Sequence, residues 1–473
     1  MQPIRVTSRI TAHSTDPTLF TNILSRTNRP AVLQSARLGA AGARYSLFAH
    51  DPIGEVVTSR DGQPDVLRRI ARTIGTLPPL ERNLDAPPFP GGWIGYCSYE
   101  FGANIEATVG NQRRDSRIPL ARFMLYDTAA AFDHELRRWW LIAVDWPHGL
   151  YPQRPPAQDR MDRLASLLIQ GETAHAIQPE AQPESEPTAT PGLARDAYIE
   201  RILRIKKYIA AGDVYQVNLT NRFRVPTSQT PLQTYQRLRE LSPSSHAAFL
   251  PWKEGAIISS SPELFLALRG RHVVTRPIKG TRPRCADPRL DAANRRELAT
   301  DPKESAELNM IIDLLRNDLG RVCAYSSVQV TDPGTIERHP TVYHRAATIE
   351  GVLQEGRSWH DLLQATFPGG SVTGAPKIRA MQIINELEPT PRGVYCGSIG
   401  WIGLDGSMEL NVAIRTMLQA DGMADIYAGG AIVADSQPDA ECAEVSAKAA
   451  AMLRAVDVSA AALGVQPAGT TGR

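Results

Sequence analysis

The chain has very little lysine. Among 52 basic side chains in 473 residues only Lys206, Lys207, Lys253, Lys279, Lys303, Lys377 and Lys448 are lysine, which leaves 52 − 7 = 45 arginines. All seven lie beyond residue 205. Where arginine is the default cation, a retained lysine points to work a guanidinium cannot do, nucleophilic attack by a neutral amine included. Cysteine is also scarce: Cys97, Cys285, Cys323, Cys396 and Cys442 are odd in number, scattered, and form no CxxC pair. That excludes a disulfide framework and a zinc ribbon and leads us to expect a reducing cytoplasm. With a net charge of +2, no run of like charges and no basic-aromatic interleaving, nucleic acid is not an expected partner. No apolar stretch approaches a membrane span, and MQPIRVTSRITAHS lacks the apolar core of a signal peptide, so no membrane association is expected.

Large apolar side chains are almost absent from residues 171–195 (GETAHAIQPEAQPESEPTATPGLAR), which predicts a flexible linker. It separates an N-terminal region, 1–170, from a catalytic region, 196–458, that carries every lysine; residues 459–473 are expected to be a disordered tail. The N-terminal region alternates short apolar runs with turn signals, as antiparallel strands do, around one helical stretch, VLRRIARTIGTL.

What is present centres on residues 276–320, where Lys279 in a tight turn is followed by a helix carrying acids. Asp301 is a good N-cap, Pro302 suits the first helical position, and Glu304 completes a capping-box pattern, with Gly320 as the stop. Leu308, Ile311, Ile312 and Leu315 mark the inward face, and the stripe runs back through Glu307 and Glu304. Taken alone, these acids read most simply as a cap and a solvated first-turn residue. A second helix, DSQPDAECAEVSAKAAAML, changes that: Ser436 and Asp439 suggest another capping box, and Glu441, Glu444 and Lys448 share one face. Two helices each presenting a Glu-x-x-Glu pair suit a hard, oxygen-ligated cation such as Mg²⁺.

Further signals come from strands and loops. In VYQVNLTNRFRV, Gln216, Asn218 and Thr220 alternate with Val217, Leu219 and Phe223, giving a strand with a polar side. Glu263 follows Pro262 and Lys279 precedes Gly280, positions from which both could enter one cleft. FPGGSVTGAPK opens a helix with Thr373, Gly374 and Pro376, and its backbone amides suit an anion. RGVYCGSIGWIG, MELNVAIRTMLQ and DIYAGGAIVADS read as three strands, with Gly429 and Gly430 marking either a bulge or a close approach to a ligand.

GDVYQVNLTNRF, SSSPELF, RPIKGTRPR, DPKESAELNMIIDLLRNDLG, FPGGSVTGAPK, RGVYCGSIGW, LNVAIRT and GGAIVADSQPDAECAE, in this order, resemble the chorismate-utilising enzymes, the aminodeoxychorismate synthase branch above all. The likeness runs from about 195 to 455 and is looser before 170. It implies an α+β fold of antiparallel sheets packed face to face and flanked by helices. It also implies that Mg²⁺ is held by Glu307 and Glu444, with Glu304 and Glu441 acting through water. Tyr395 and Arg415 would anchor substrate, Gly374, Gly429 and Gly430 would offer amides, Thr373 and Lys448 would line the site, and His344 is the family histidine. YHRAAT departs from a more apolar run usual in the family, so Arg345, Ala346 and Ala347 stand out.

Two positions sort the reactions within the family. Gln216 stands where the isochorismate and salicylate synthases carry a lysine base, and Lys279 stands where anthranilate synthases usually have alanine. The resemblance therefore implies amination of chorismate at C4, with Lys279 as nucleophile and Glu263 as general acid; anthranilate synthase component I is the alternative. The chain has no GxCxG elbow of its own, so ammonia is expected from a separate glutamine amidotransferase subunit.

Overall fold

A computed structural model describes residues 3–458 apart from 12, 36–43, 59–64, 111–113, 116, 148–149, 173–186 and 340–341. Most of the linker and the whole of the expected tail fall outside the described residues. The linker's ends are ordered: Gly171 and Glu172 finish the helix Ala157–Glu172, and Thr190–Pro191 pairs with the strand Gln216–Pro226.

Two antiparallel-dominated sheets, one of 13 and one of 10 strands among the described residues, make an α+β fold with helices packed against the strands. The one parallel pair recorded joins Ile4–Thr11 to Leu80–Arg82. Both sheets draw strands from both sides of the linker. In the larger, His246–Trp252 lies beside Ala31–Gln34; in the smaller, Ser398–Gly403 lies beside Gly92–Cys97. The division at the linker thus marks a place along the chain, while the two regions share their sheets. No helix among the described residues is long and apolar enough to cross a membrane.

The acidic helix spans Pro302–Gly320 and starts as its sequence requires: the Asp301 side chain accepts from the Lys303 and Glu304 amides, with Pro302 in the first turn. Leu308, Ile311, Ile312 and Leu315 are buried. Two expected end devices do not form. Glu304 does not reach back to the cap but accepts from Arg282, and Gly320 remains helical, with Arg321 as a right-handed cap. In the second acidic helix, Pro438–Ala455, the cap residue is Gln437, because the Ser436 hydroxyl is occupied by Glu441.

Candidate active site

The strand Gln216–Pro226 is buried on both faces over its first half: Gln216, Asn218 and Thr220 are buried, as are Val217 and Leu219. Beside it, Met423–Ile432 runs in unbroken register, Thr220 opposite Gly429 and Leu219 opposite Gly430. No bulge is present. Glycine is needed at 429 because an added Cβ would lie 2.6 Å from the Leu219 carbonyl oxygen.

MELNVAIRTMLQ, expected as one strand, is two. Met408–Asn411 belongs to the smaller sheet and Thr416–Ala420 to the larger, so the chain crosses between sheets at residues 412–415. Arg415 sits at that crossing with φ +49°, a left-handed conformation that costs a non-glycine residue on the order of 1 kcal/mol. Lys279 likewise stands in a strand, Ile278–Pro283, rather than in an isolated turn. The ladder is irregular between Lys279 and Thr281, around Gly280 at φ +76°, and a helix, Pro288–Thr300, intervenes before the acidic one.

These elements enclose a cavity of about 540 Å³. Lys279, Glu263, His344, Tyr395, Arg415 and Gly429 line it, as do Lys448, Glu304, Glu307 and Glu444. Gln216, Thr373, Gly374, Gly430 and Glu441 do not. Thr373 is fully buried, its hydroxyl turned to the Gly369 carbonyl, and Gly374 pairs with Val217. The FPGG loop meets the cavity earlier, through Ser371 and Val372, while Pro376 and Lys377 face a separate cavity. Sequence reasoning missed Asn218, as a lining residue, and Ser371, Arg282, Lys303 and Tyr427. One signal was available: three of the rare lysines, Lys279, Lys303 and Lys448, line this one cavity.

Glu263 is 4% exposed, and its carboxylate accepts from the Ser371 hydroxyl at 2.6 Å. Burial pushes its pKa up from 4.5 to about 7, against the opposing pull of that hydrogen bond and of the Lys279 charge. A carboxyl poised there donates a proton readily at neutral pH. Burial lowers the Arg415 pKa to about 10. Its guanidinium reaches the Ser242 hydroxyl at 3.4 Å and His344 Nε2 at 3.5 Å, and it makes no ion pair among the described residues. The other His344 nitrogen lies 2.9 Å from the Thr281 hydroxyl. Tyr395 stacks on Tyr427 with centroids 5.6 Å apart.

The two acidic helices do converge. Burial raises the Glu307 pKa; Lys279 and Lys303 pull it down, while Glu304 and Glu444 push it further up, so carboxylates from both helices act on one another. Burial also acts to raise that of Glu444, but the Lys448 charge and hydrogen bond, with Lys279 and Lys303, outweigh it and hold it low. Among the described residues no three metal-type side chains are gathered into a ligand nest. Each acid leans on a cation or hydroxyl instead. Arg282 lies 3.2 Å from Glu304, and Lys303 lies 3.9 Å from Glu307 and 3.7 Å from Glu441. Lys448 lies 2.6 Å from Glu444, and Ser436 donates to Glu441 at 2.7 Å. As a donor set, carboxylates facing one another from two helices, with Glu307 largely buried and not hydrogen-bonded to Lys303 at 3.9 Å, fit a hard divalent cation.

Residues 34–454 match the family of chorismate binding enzymes. The chain belongs to that family. It is 37% identical to aminodeoxychorismate synthase component 1 of Bacillus subtilis over 93% of this chain and 94% of that protein. It is equally 37% identical to anthranilate synthase component 1 of Streptomyces coelicolor, over 93% and 86%. Among solved structures, anthranilate synthase component I from Streptococcus pneumoniae superposes with a TM-score of 0.74 at 31% identity, covering 88% of this chain and 94% of that one. The menaquinone-specific isochorismate synthase of Escherichia coli, at 19% identity and TM-score 0.69 over 96% and 94%, shares the fold. The relatives thus divide between aminodeoxychorismate synthase and anthranilate synthase at the same identity.

Proposed function

We propose that this chain is the chorismate-aminating component of an aminodeoxychorismate synthase, forming 4-amino-4-deoxychorismate from chorismate and ammonia. The observation that carries this reading is the pairing of Lys279 and Glu263: an amine and a carboxyl with a pKa of about 7 line one cavity, and the Lys279 charge acts on the Glu263 carboxyl. In this mechanism the neutral Lys279 amine attacks C2 of chorismate. The N–C2 bond forms, the ring double bonds shift, and the C4–O bond breaks. Glu263 gives its proton to the departing hydroxyl, which leaves as water, and the resulting carboxylate takes up the proton that the attached amine loses. Ammonia then adds at C4, the double bonds shift back, and the C2–N bond breaks with the lysine leaving as the amine, the proton it gains balanced by the one the new C4 ammonium loses.

Arg415, which has no acid partner among the described residues, receives a substrate carboxylate, and Tyr395, backed by Tyr427, forms the wall beside it. His344 sits against Arg415 and Thr281 and sets the guanidinium's direction. Glu307 and Glu444 would hold Mg²⁺, with Glu304 and Glu441 supporting them through water; when bound, the ion would neutralise a substrate carboxylate. Lys303 and Lys448 would then give up part of their contact with these acids. Gln216 is buried and off the cavity wall, so it offers no base to activate water at C2. The partner supplying ammonia is a separate glutamine amidotransferase subunit, and the setting is the cytoplasm, in keeping with five free thiols.

The second reading, anthranilate synthase component I, is favoured by the equal identity to that enzyme. Chorismate, Mg²⁺ and an ammonium salt, with products separated by chromatography and mass, distinguish the two. The 4-amino product supports the proposal and anthranilate overturns it.

A further inference from the structure

Behind the cavity wall lies a guanidinium that none of the steps above uses. Arg392 is 1% exposed and makes four side-chain hydrogen bonds. Two go to the Glu388 carboxylate, from Nε at 2.8 Å and Nη2 at 2.7 Å. The others go to main-chain oxygens of two different cavity walls: Nη1 to the Val372 carbonyl at 2.8 Å and Nη2 to the Asn218 carbonyl at 2.7 Å. Tyr99 lies flat beneath, with the guanidinium carbon 4.4 Å from its ring centre.

The partners are fixed in turn. Glu388 also accepts the Thr220 amide at 2.8 Å, and the Arg392 amide donates to Glu100 at 2.7 Å. Burying a cation costs several kcal/mol unless it is paired and hydrogen-bonded, and here it is paired with Glu388 and each guanidinium nitrogen makes at least one hydrogen bond. A lysine could satisfy neither fork, because only a planar guanidinium binds a carboxylate side-on while reaching two carbonyls. The expense of placing such a group in the interior calls for a purpose, and its location supplies one. Val372 is adjacent to Ser371, whose hydroxyl is the hydrogen-bond donor to Glu263.

We propose that Arg392 is a positioning residue for the reaction, fastening the Ser371–Val372 loop to the Asn218 strand and thereby holding the Ser371 hydroxyl on Glu263. This rests on the functional reading above, in which Glu263 is the proton donor. Around Glu263 the relevant groups are Lys279 and Ser371. Around Arg392 they are Glu388, Cys396 and Tyr99, with Glu100 on its main-chain amide.

The test is the pH profile of kcat for the full chain with saturating chorismate and ammonium salt. The wild type loses activity as pH rises through the Glu263 pKa of about 7. Ser371→Ala removes a hydrogen bond to the carboxylate and moves this limb up by about one pH unit. Arg392→Lys is expected to move it by the same amount, and the double variant no further than either single one. An infrared titration of the carboxyl band assigned with Glu263→Gln reads the same shift without turnover, so a chain inactive on chorismate would sink the functional reading and still leave this one measurable. If Arg392→Lys does not fold, Glu388→Gln, which loosens the same fork, takes its place. A lower kcat or melting temperature with the limb and carboxyl band unmoved overturns the proposal, as do shifts in the double variant that add.

Discussion

Glu263→Gln should separate stability from catalysis in opposite directions. Glu263 is almost fully buried, and its pKa rises from 4.5 to about 7, chiefly through burial. A carboxyl whose pKa is raised on folding binds its proton more tightly in the native state than in the unfolded one. Its contribution to stability is therefore whole below pH 4.5 and is lost as pH climbs from 4.5 to 7. The difference, 7 − 4.5 = 2.5 pH units at about 1.4 kcal/mol each, amounts to roughly 3 kcal/mol by pH 8. Glutamine is neutral throughout and can still accept from Ser371. Urea unfolding of ligand-free protein at pH 5 and at pH 8 measures it. The variant's advantage over wild type should be small at pH 5 and about 3 kcal/mol at pH 8, while amination is lost at both. An advantage of the same size at both pH values would refute the idea that Glu263 is a desolvated, proton-holding acid.

Other substitutions test the remaining assignments. Lys279→Ala should slow formation of the 4-amino product by several orders of magnitude while chorismate binding, read by calorimetry, changes little; near-normal turnover would make the lysine a bystander. Lys279→Arg should fail equally, because a guanidinium stays protonated. Glu307→Gln and Glu444→Gln should each abolish the response to added Mg²⁺ without altering the far-ultraviolet circular dichroism spectrum; full activity of either in chelator would remove the metal from the account. Arg415→Met should raise the KM for chorismate tenfold or more, the scale of a lost charge-assisted hydrogen bond, and an unchanged KM would place the substrate carboxylate elsewhere.

How much was legible in the sequence depended on how local the cause was. The start of the helix Pro302–Gly320 was readable because Asp301 and Pro302 act within one turn. Its end was not, since Gly320 permits a left-handed stop without requiring it, and the helix runs through it to a right-handed cap at Arg321. The convergence of Glu307 and Glu444 could be inferred from matching Glu-x-x-Glu pairs on two helices, but not that Lys303 and Lys448 would lean on them. The sheets were the least legible part. That Ala31–Gln34 lies beside His246–Trp252 depends on pairing across more than two hundred residues, which no local pattern records. The crossing that brings Arg415 into the cavity was hidden for the same reason: MELNVAIRTMLQ alternates like one strand, and the break over residues 412–415, where Arg415 takes a positive φ, leaves no mark in that alternation.

The central claim is that this cavity aminates C4 through an enzyme-bound intermediate on Lys279, and intact-mass spectrometry tests it most directly. Enzyme quenched after exposure to chorismate and Mg²⁺ without ammonia should gain the mass of chorismate less water, located by peptide mapping to the segment containing Lys279. Ammonium salt should then discharge it as 4-amino-4-deoxychorismate. Unmodified enzyme under every quench, together with anthranilate as the product once ammonium is added, would contradict the account.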